Sequence, residues 1–174
     1  MRYTICMHYQ QVVADLNSLA NPVQAKNLSR FFKTGKGEYG EGNKFLGIPV
    51  PEQRKIAKKY HTLPLKEIEK LIKNPFHECR FVALLILVDQ FRHLSSSNSP
   101  LSSSRMRGSS LIRLSDIYNF YLAHTKYINN WDLVDLSAPN IVGEHLYNCY
   151  KGYSVILESL AHSPNLWERR ISII

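Results

Sequence analysis

Apolar positions along the chain recur at three- and four-residue intervals, while the strict alternation expected of strands is nearly absent. This period predicts helices over 9–20, 22–33, 51–60, 65–73, 75–93, 111–125, 130–136, 138–149, 152–162 and 164–174. Asn21-Pro22, Asn74-Pro75 and Ser163-Pro164 read as helix starts, each with a side chain able to accept an orphan backbone N–H and a proline suited to the first helical position. Five glycines between residues 34 and 50 break the pattern and predict a loop. Residues 95–110 hold nine serines and no acid, which predicts a flexible, basic, low-complexity loop.

Composition narrows the picture. A chain of 174 residues has the length of one domain, and 44% hydrophobic content excludes intrinsic disorder. Cys6, Cys79 and Cys149 are an odd number and widely spaced. That excludes a disulfide scaffold and a zinc ribbon, and points to a reducing, cytoplasmic setting. The run Phe81 to Val88 is too short to span a bilayer, and the N-terminus lacks the apolar length of a signal peptide. The net charge of +8 is uneven: residues 1–113 carry +10 and residues 114–174 carry −2. Arg30, Lys33, Lys36, Lys44, Arg54, Lys55, Lys58 and Lys59 make 30–60 the densest basic stretch. Such a field either attracts a phosphate backbone through counterion release or serves as a solvated face.

Three segments repeat weakly: His77-Glu78-Cys79-Arg80-Phe81-Val82, Trp131-Asp132-Leu133-Val134-Asp135-Leu136 and Trp167-Glu168-Arg169-Arg170-Ile171-Ser172. Each runs from a ring to an acid and then into a mainly apolar helix. Helix-pair solenoids repeat at about 40–47 residues, and the expected fold is an all-α, HEAT/armadillo-like solenoid with a concave basic groove. Asp135 breaks the repeat, standing where Phe81 and Ile171 are apolar. A carboxylate there is costly unless it faces a groove or finds a partner. Trp131 lies one helical turn before it; taken alone, such a pair more often means plain packing with a cap than a face for a cationic substrate.

Tyr127-Ile-Asn-Asn-Trp-Asp-Leu-Val-Asp-Leu-Ser-Ala-Pro-Asn-Ile-Val-Gly143 resembles the HEAT-like alkylpurine DNA glycosylases of the AlkD type. So do Lys44-Phe-Leu-Gly-Ile-Pro-Val-Pro-Glu-Gln-Arg-Lys-Ile-Ala57 and Asn165-Leu-Trp-Glu-Arg-Arg170, three blocks in the family's order. The resemblance implies hydrolysis of the N-glycosidic bond of cationic alkylated purines in double-stranded DNA, without cofactor, metal or obligate protein partner. By that resemblance Asp135 stabilises the oxocarbenium-like sugar and positions water, and Trp131 packs against sugar or lesion. Arg170 would hold a phosphate, joined in DNA binding by Lys44, Arg54 and Lys33. Trp167 either lines this site or belongs to the core.

Other candidates carry less. His77-Glu78 lacks a second histidine for zinc, and His145 with Cys149 supplies only two ligands. Phe31, Phe32 and Tyr39 could lie against DNA or pack between helices, Phe32 being expected to pack. The rival functions are a non-catalytic HEAT-repeat protein that binds bent or branched DNA, and a helical-repeat scaffold for proteins. Family members continue through further repeats, so the chain is expected to be incomplete at its C-terminus. Ile171, Ile173 and Ile174 would then lie uncovered and promote self-association.

Overall fold

The computed structural model describes residues 7–96, 104–149 and 155–174, with backbone alone at 104–112 and 149. Ten α-helices account for nearly all regular structure among these residues: α1 Tyr9–Ser18, α2 Pro22–Phe31, α3 Val50–Lys59, α4 Leu65–Ile72, α5 His77–Ser96, α6 Ser104–Ala123, α7 Trp131–Ala138, α8 Glu144–Cys149, α9 Val155–Ala161 and α10 Leu166–Ile171. The chain divides into two compact units, 1–86 and 87–174, with the boundary inside α5. No helix among the described residues is long and apolar enough to cross a membrane.

In the first unit α1 packs on α3 and α4. Val12 and Leu16 bury their side chains, as do Ile56, Ala57, Ile68, Leu71 and Ile72. Asp15 fastens α1 to the end of α3, accepting from Lys59 Nζ at 2.7 Å and from Tyr60 OH at 3.0 Å. From His77 to Val88, α5 is buried on every side, which explains why its sequence is apolar all round from Phe81 to Val88. Burial also pushes the Cys79 thiol up to about 12, leaving it an inert packing group.

Glu78 is wholly buried and takes the backbone N–H groups of Leu46, Gly47 and Ile48 at 2.9, 2.8 and 3.3 Å. Leu46 in turn gives its carbonyl to the Asn21 N–H at 2.8 Å, which ties this loop to the start of α2. Gly47 is obligatory there: its φ is +84°, and a Cβ would lie 2.2 Å from the Asn21 carbonyl oxygen. Gln53 Nε2 closes the loop onto α3 by donating to Ile48 O at 2.7 Å. The block Lys44–Ala57 is thus largely a structural keystone, with Lys44, Arg54 and Lys55 as its exposed cations, Lys55 paired with Glu52.

In the second unit α7 packs on α10, α10 on α9, and α6 on α8. Tyr121 OH and Ser137 Oγ share a hydrogen bond of 2.9 Å in the buried face between α6 and α7, and Ser137 Oγ also donates to Leu133 O at 2.6 Å. Helices α7 and α8 are joined without a break by a π-turn over Pro139–Gly143. Proline at 139 has no N–H to give the Asp135 carbonyl, and its ring crowds that carbonyl. The helix answers by widening, and the Glu144 N–H reaches back five residues to Pro139 O.

Four expectations need correction. The Ser-rich stretch is helical at both ends: Ser95 and Ser96 finish α5, and 104–110 open α6, where Arg105, Met106 and Arg107 are good helix formers. Its centre, 97–103, lies outside the described residues. Of the three Xaa-Pro starts only Asn21-Pro22 caps a helix directly, Asn21 Oδ1 accepting from Val23 and Gln24 N–H at 3.1 Å. Asn74 and Ser163 make turns to Phe76 and Asn165 instead, at 2.9 and 3.0 Å, so α5 and α10 start after those turns. The predicted break near residue 137 is the continuous π-turn just described. Finally, Ile171 is only 3% exposed, because α10 turns it toward α7 and α9; Ile173 and Ile174 are exposed.

Candidate active site

Helix α7 begins where Asn130 Oδ1 accepts the Trp131 N–H at 2.8 Å. Leu133, Val134, Ser137 and Ala138 are buried, which sets the helix's rotation. Trp131 and Asp135, one turn apart, therefore share the half-buried opposite side. Helix α10 begins alike: Asn165 Oδ1 accepts the Trp167 N–H at 2.9 Å. The repeat motif of ring and acid thus marks helix starts, and the acid has a structural task. Glu168 binds Thr125 Oγ1 at 2.6 Å and Ser163 Oγ at 2.5 Å, and Asp132 Oδ1 accepts the Leu133 N–H at 2.9 Å.

The consecutive arginines of α10 part company. Arg169 Nη1 turns back to the Ser163 and Pro164 carbonyls at 2.7 and 3.0 Å. Arg170 reaches across to α7, where Nε meets Asp135 Oδ1 at 2.7 Å and Nη2 meets Oδ2 at 2.8 Å. This fork-on-carboxylate geometry is the strongest form of the pair. The two side chains remain 37% and 36% exposed, so water screens them and the net stabilisation is on the order of 1 kcal/mol or less. Donating to the Asp135 carboxylate holds the Arg170 guanidinium above its ordinary value, firmly charged. Two of its five N–H donors face the carboxylate, and Nη1 projects away from that edge.

The structure thus brings Asp135 and Arg170 into contact, with Trp131 one turn before the carboxylate. Trp167 is half-buried near the start of α10. Lys33, Lys44 and Arg54 are exposed in the first unit, and none forms an ion pair among the described residues. Phe32 packs as expected, stacked on Phe45 at 5.1 Å. His145 is buried against Tyr118, with ring centroids 4.0 Å apart, and desolvation pushes its imidazole below the ordinary value. Among the described residues no three His, Cys, Asp or Glu side chains converge as a metal site. Sequence reasoning missed Glu78, whose neighbour His77 drew attention only as a possible zinc ligand. No sequence signal betrays its real partners, three backbone amides some thirty residues earlier.

A family model described as DNA alkylation repair enzyme matches residues 12–174. The chain belongs to this family. The match spans both compact units and all three sequence blocks, and membership supports a role in DNA repair, with DNA as substrate or partner. No curated protein and no solved structure shows a significant match to the chain.

Proposed function

We propose that the chain hydrolyses the N-glycosidic bond of cationic alkylated purines, of the 3-methyladenine or 7-methylguanine kind, in duplex DNA. The observation that carries this reading is a half-exposed carboxylate, Asp135, held in a fixed orientation by a charged fork one turn from Trp131. Alkylation at a ring nitrogen already makes the base a good leaving group, so no strong general acid is required. What the reaction needs is negative charge beside the developing sugar cation and a positioned water, both within the reach of a fixed carboxylate. Trp131 supplies an aromatic face to the sugar or lesion and excludes water from it. Arg170 orients the carboxylate through one edge of its guanidinium and offers Nη1 to a phosphate near the lesion. Lys33, Lys44 and Arg54 bind the DNA backbone. The helix pairs are units of a HEAT-like solenoid whose basic groove receives the duplex.

Asp135→Asn preserves shape and removes the charge. It is expected to lower release of free methylated purine from methylated duplex DNA by roughly 100-fold or more, with DNA affinity equal or slightly improved. Normal excision by this variant would overturn the carboxylate's role and favour a non-catalytic DNA-binding protein.

A further inference from the structure

The first unit carries a second group of exposed side chains with the chemistry of nucleic-acid recognition. Phe31, the last residue of α2, is 63% exposed, an unusual place for a large ring. It stands edge-on against Phe32 at 5.0 Å and 89°. Phe32 is buried and stacked on Phe45, and His77 continues the column from Phe45 at 4.8 Å. The exposed ring therefore rests on a base of rings anchored in the core.

The surroundings are cationic. Lys33, exposed and in the left-handed backbone region at φ +48°, gives its carbonyl to the Gly40 N–H at 3.1 Å. A Cβ on Gly40 would lie 2.2 Å from the Phe32 carbonyl oxygen, so the glycine-rich segment closes tightly on residues 32 and 33. That closure brings the backbone beside Tyr39, a ring 37% exposed, against Phe32 and Lys33. Lys36 and Lys44 are exposed too. The nearby acids are turned to the loop's own backbone: Glu38 accepts the Gly35 N–H at 2.7 Å and Glu41 the Gly37 N–H at 2.8 Å.

We propose that Phe31 and Tyr39, with Lys33, Lys36 and Lys44, form a stacking site on the first unit for an unpaired nucleotide in DNA. Cations alone would serve any duplex, because phosphates line its outside. A projecting ring gains nothing from a phosphate; it needs a base face, which stacked duplex bases hide and an unpaired base offers. Exposed aromatics set among lysines are the combination that binds single-stranded segments, and its affinity comes from stacking with little regard to base identity. The proposal rests on the reading that the chain acts on DNA, and not on the glycosylase chemistry.

The test compares fluorescently labelled duplexes, identical except that one carries a single unpaired nucleotide, by anisotropy titration at fixed salt. The wild-type protein is expected to bind the bulged duplex roughly fivefold or more tightly than the intact one. Phe31→Ala should abolish that preference while leaving affinity for the intact duplex unchanged, and Phe31→Trp should keep it. Equal binding of both duplexes by the wild type, or a preference that survives Phe31→Ala, would overturn the stacking site alone. Absence of binding to either duplex would overturn it together with the DNA reading. Loss of excision with the bulge preference intact would count against the glycosylase and leave this site standing.

Discussion

Charged and titratable side chains at the surface of a helix can be kept only where solvent or a partner offsets their desolvation. Asp135 has both, being partly exposed and forked by Arg170. Its oddity was legible in the sequence because the sister segments place Phe81 and Ile171, both buried, at the same step. Its partner was not legible: periodicity says which face a residue occupies, and never which helix 35 positions later will meet it. His145 illustrates the opposite solution. Desolvation lowers its affinity for protons, so the unfolded chain protonates first, near the ordinary value of 6.5. The stability this neutral ring contributes is present above that pH and is lost as pH falls through the folded-state value. Chemical denaturation between pH 7 and pH 5 should show a fall in stability that is shallower in His145→Phe, which keeps a ring on Tyr118 but cannot charge. An identical fall in both proteins would place the acid sensitivity elsewhere.

Helices were legible as elements because burial on one side leaves a periodic trace. Their starts were less so, since Asn74 and Ser163 satisfy the same kind of backbone donor in a turn as in a cap, and only the following geometry separates the two. Arg105, Met106 and Arg107 likewise carried a helical preference that the surrounding serines obscured. The least legible element is the loop over Leu46–Ile48, whose order depends on one distant carboxylate. Glu78→Gln keeps the length of the side chain but turns an amide donor toward N–H groups that need an acceptor. It should cost about 2 kcal/mol or more of stability, since buried bonds to a charged acceptor are strong and their loss leaves donors unsatisfied. Thermal and urea unfolding would measure this, and a change within experimental error would mean that the loop is held chiefly by its buried Phe45, Leu46 and Ile48.

At the scale of the whole molecule, charge is segregated along the chain, +10 before residue 114 and −2 after it. The segregation was fully legible, and the structure adds which cations are committed. Lys55, Lys59, Lys70 and Lys73 have acidic partners at 2.5–2.7 Å, whereas Lys44 and Arg54 stand exposed without one among the described residues. Replacing both by alanine should weaken binding to every duplex alike and shallow the dependence of log K on log salt by about one unit for each lost phosphate contact. An unchanged slope would show that these two side chains only solvate the surface.

The π-turn at Pro139–Gly143 bears on how this chain tolerates insertions and deletions. A π-turn holds one residue more than the α-helix that would otherwise run through it, and each residue turns a helix by about 100°. Removing Pro139 would let α7 run straight into α8 without lengthening any loop. Because the wider turn absorbs the extra residue, the side chains beyond it would keep their direction, His145 against Tyr118 and Leu146 in the core. The extra residue thus keeps in line the buried pairs Leu133-Val134, Ser137-Ala138, Ile141-Val142 and His145-Leu146, whose four-residue spacing would drift round an unbroken α-helix. At this one turn the helix takes up a residue that anywhere else along it would turn every later side chain.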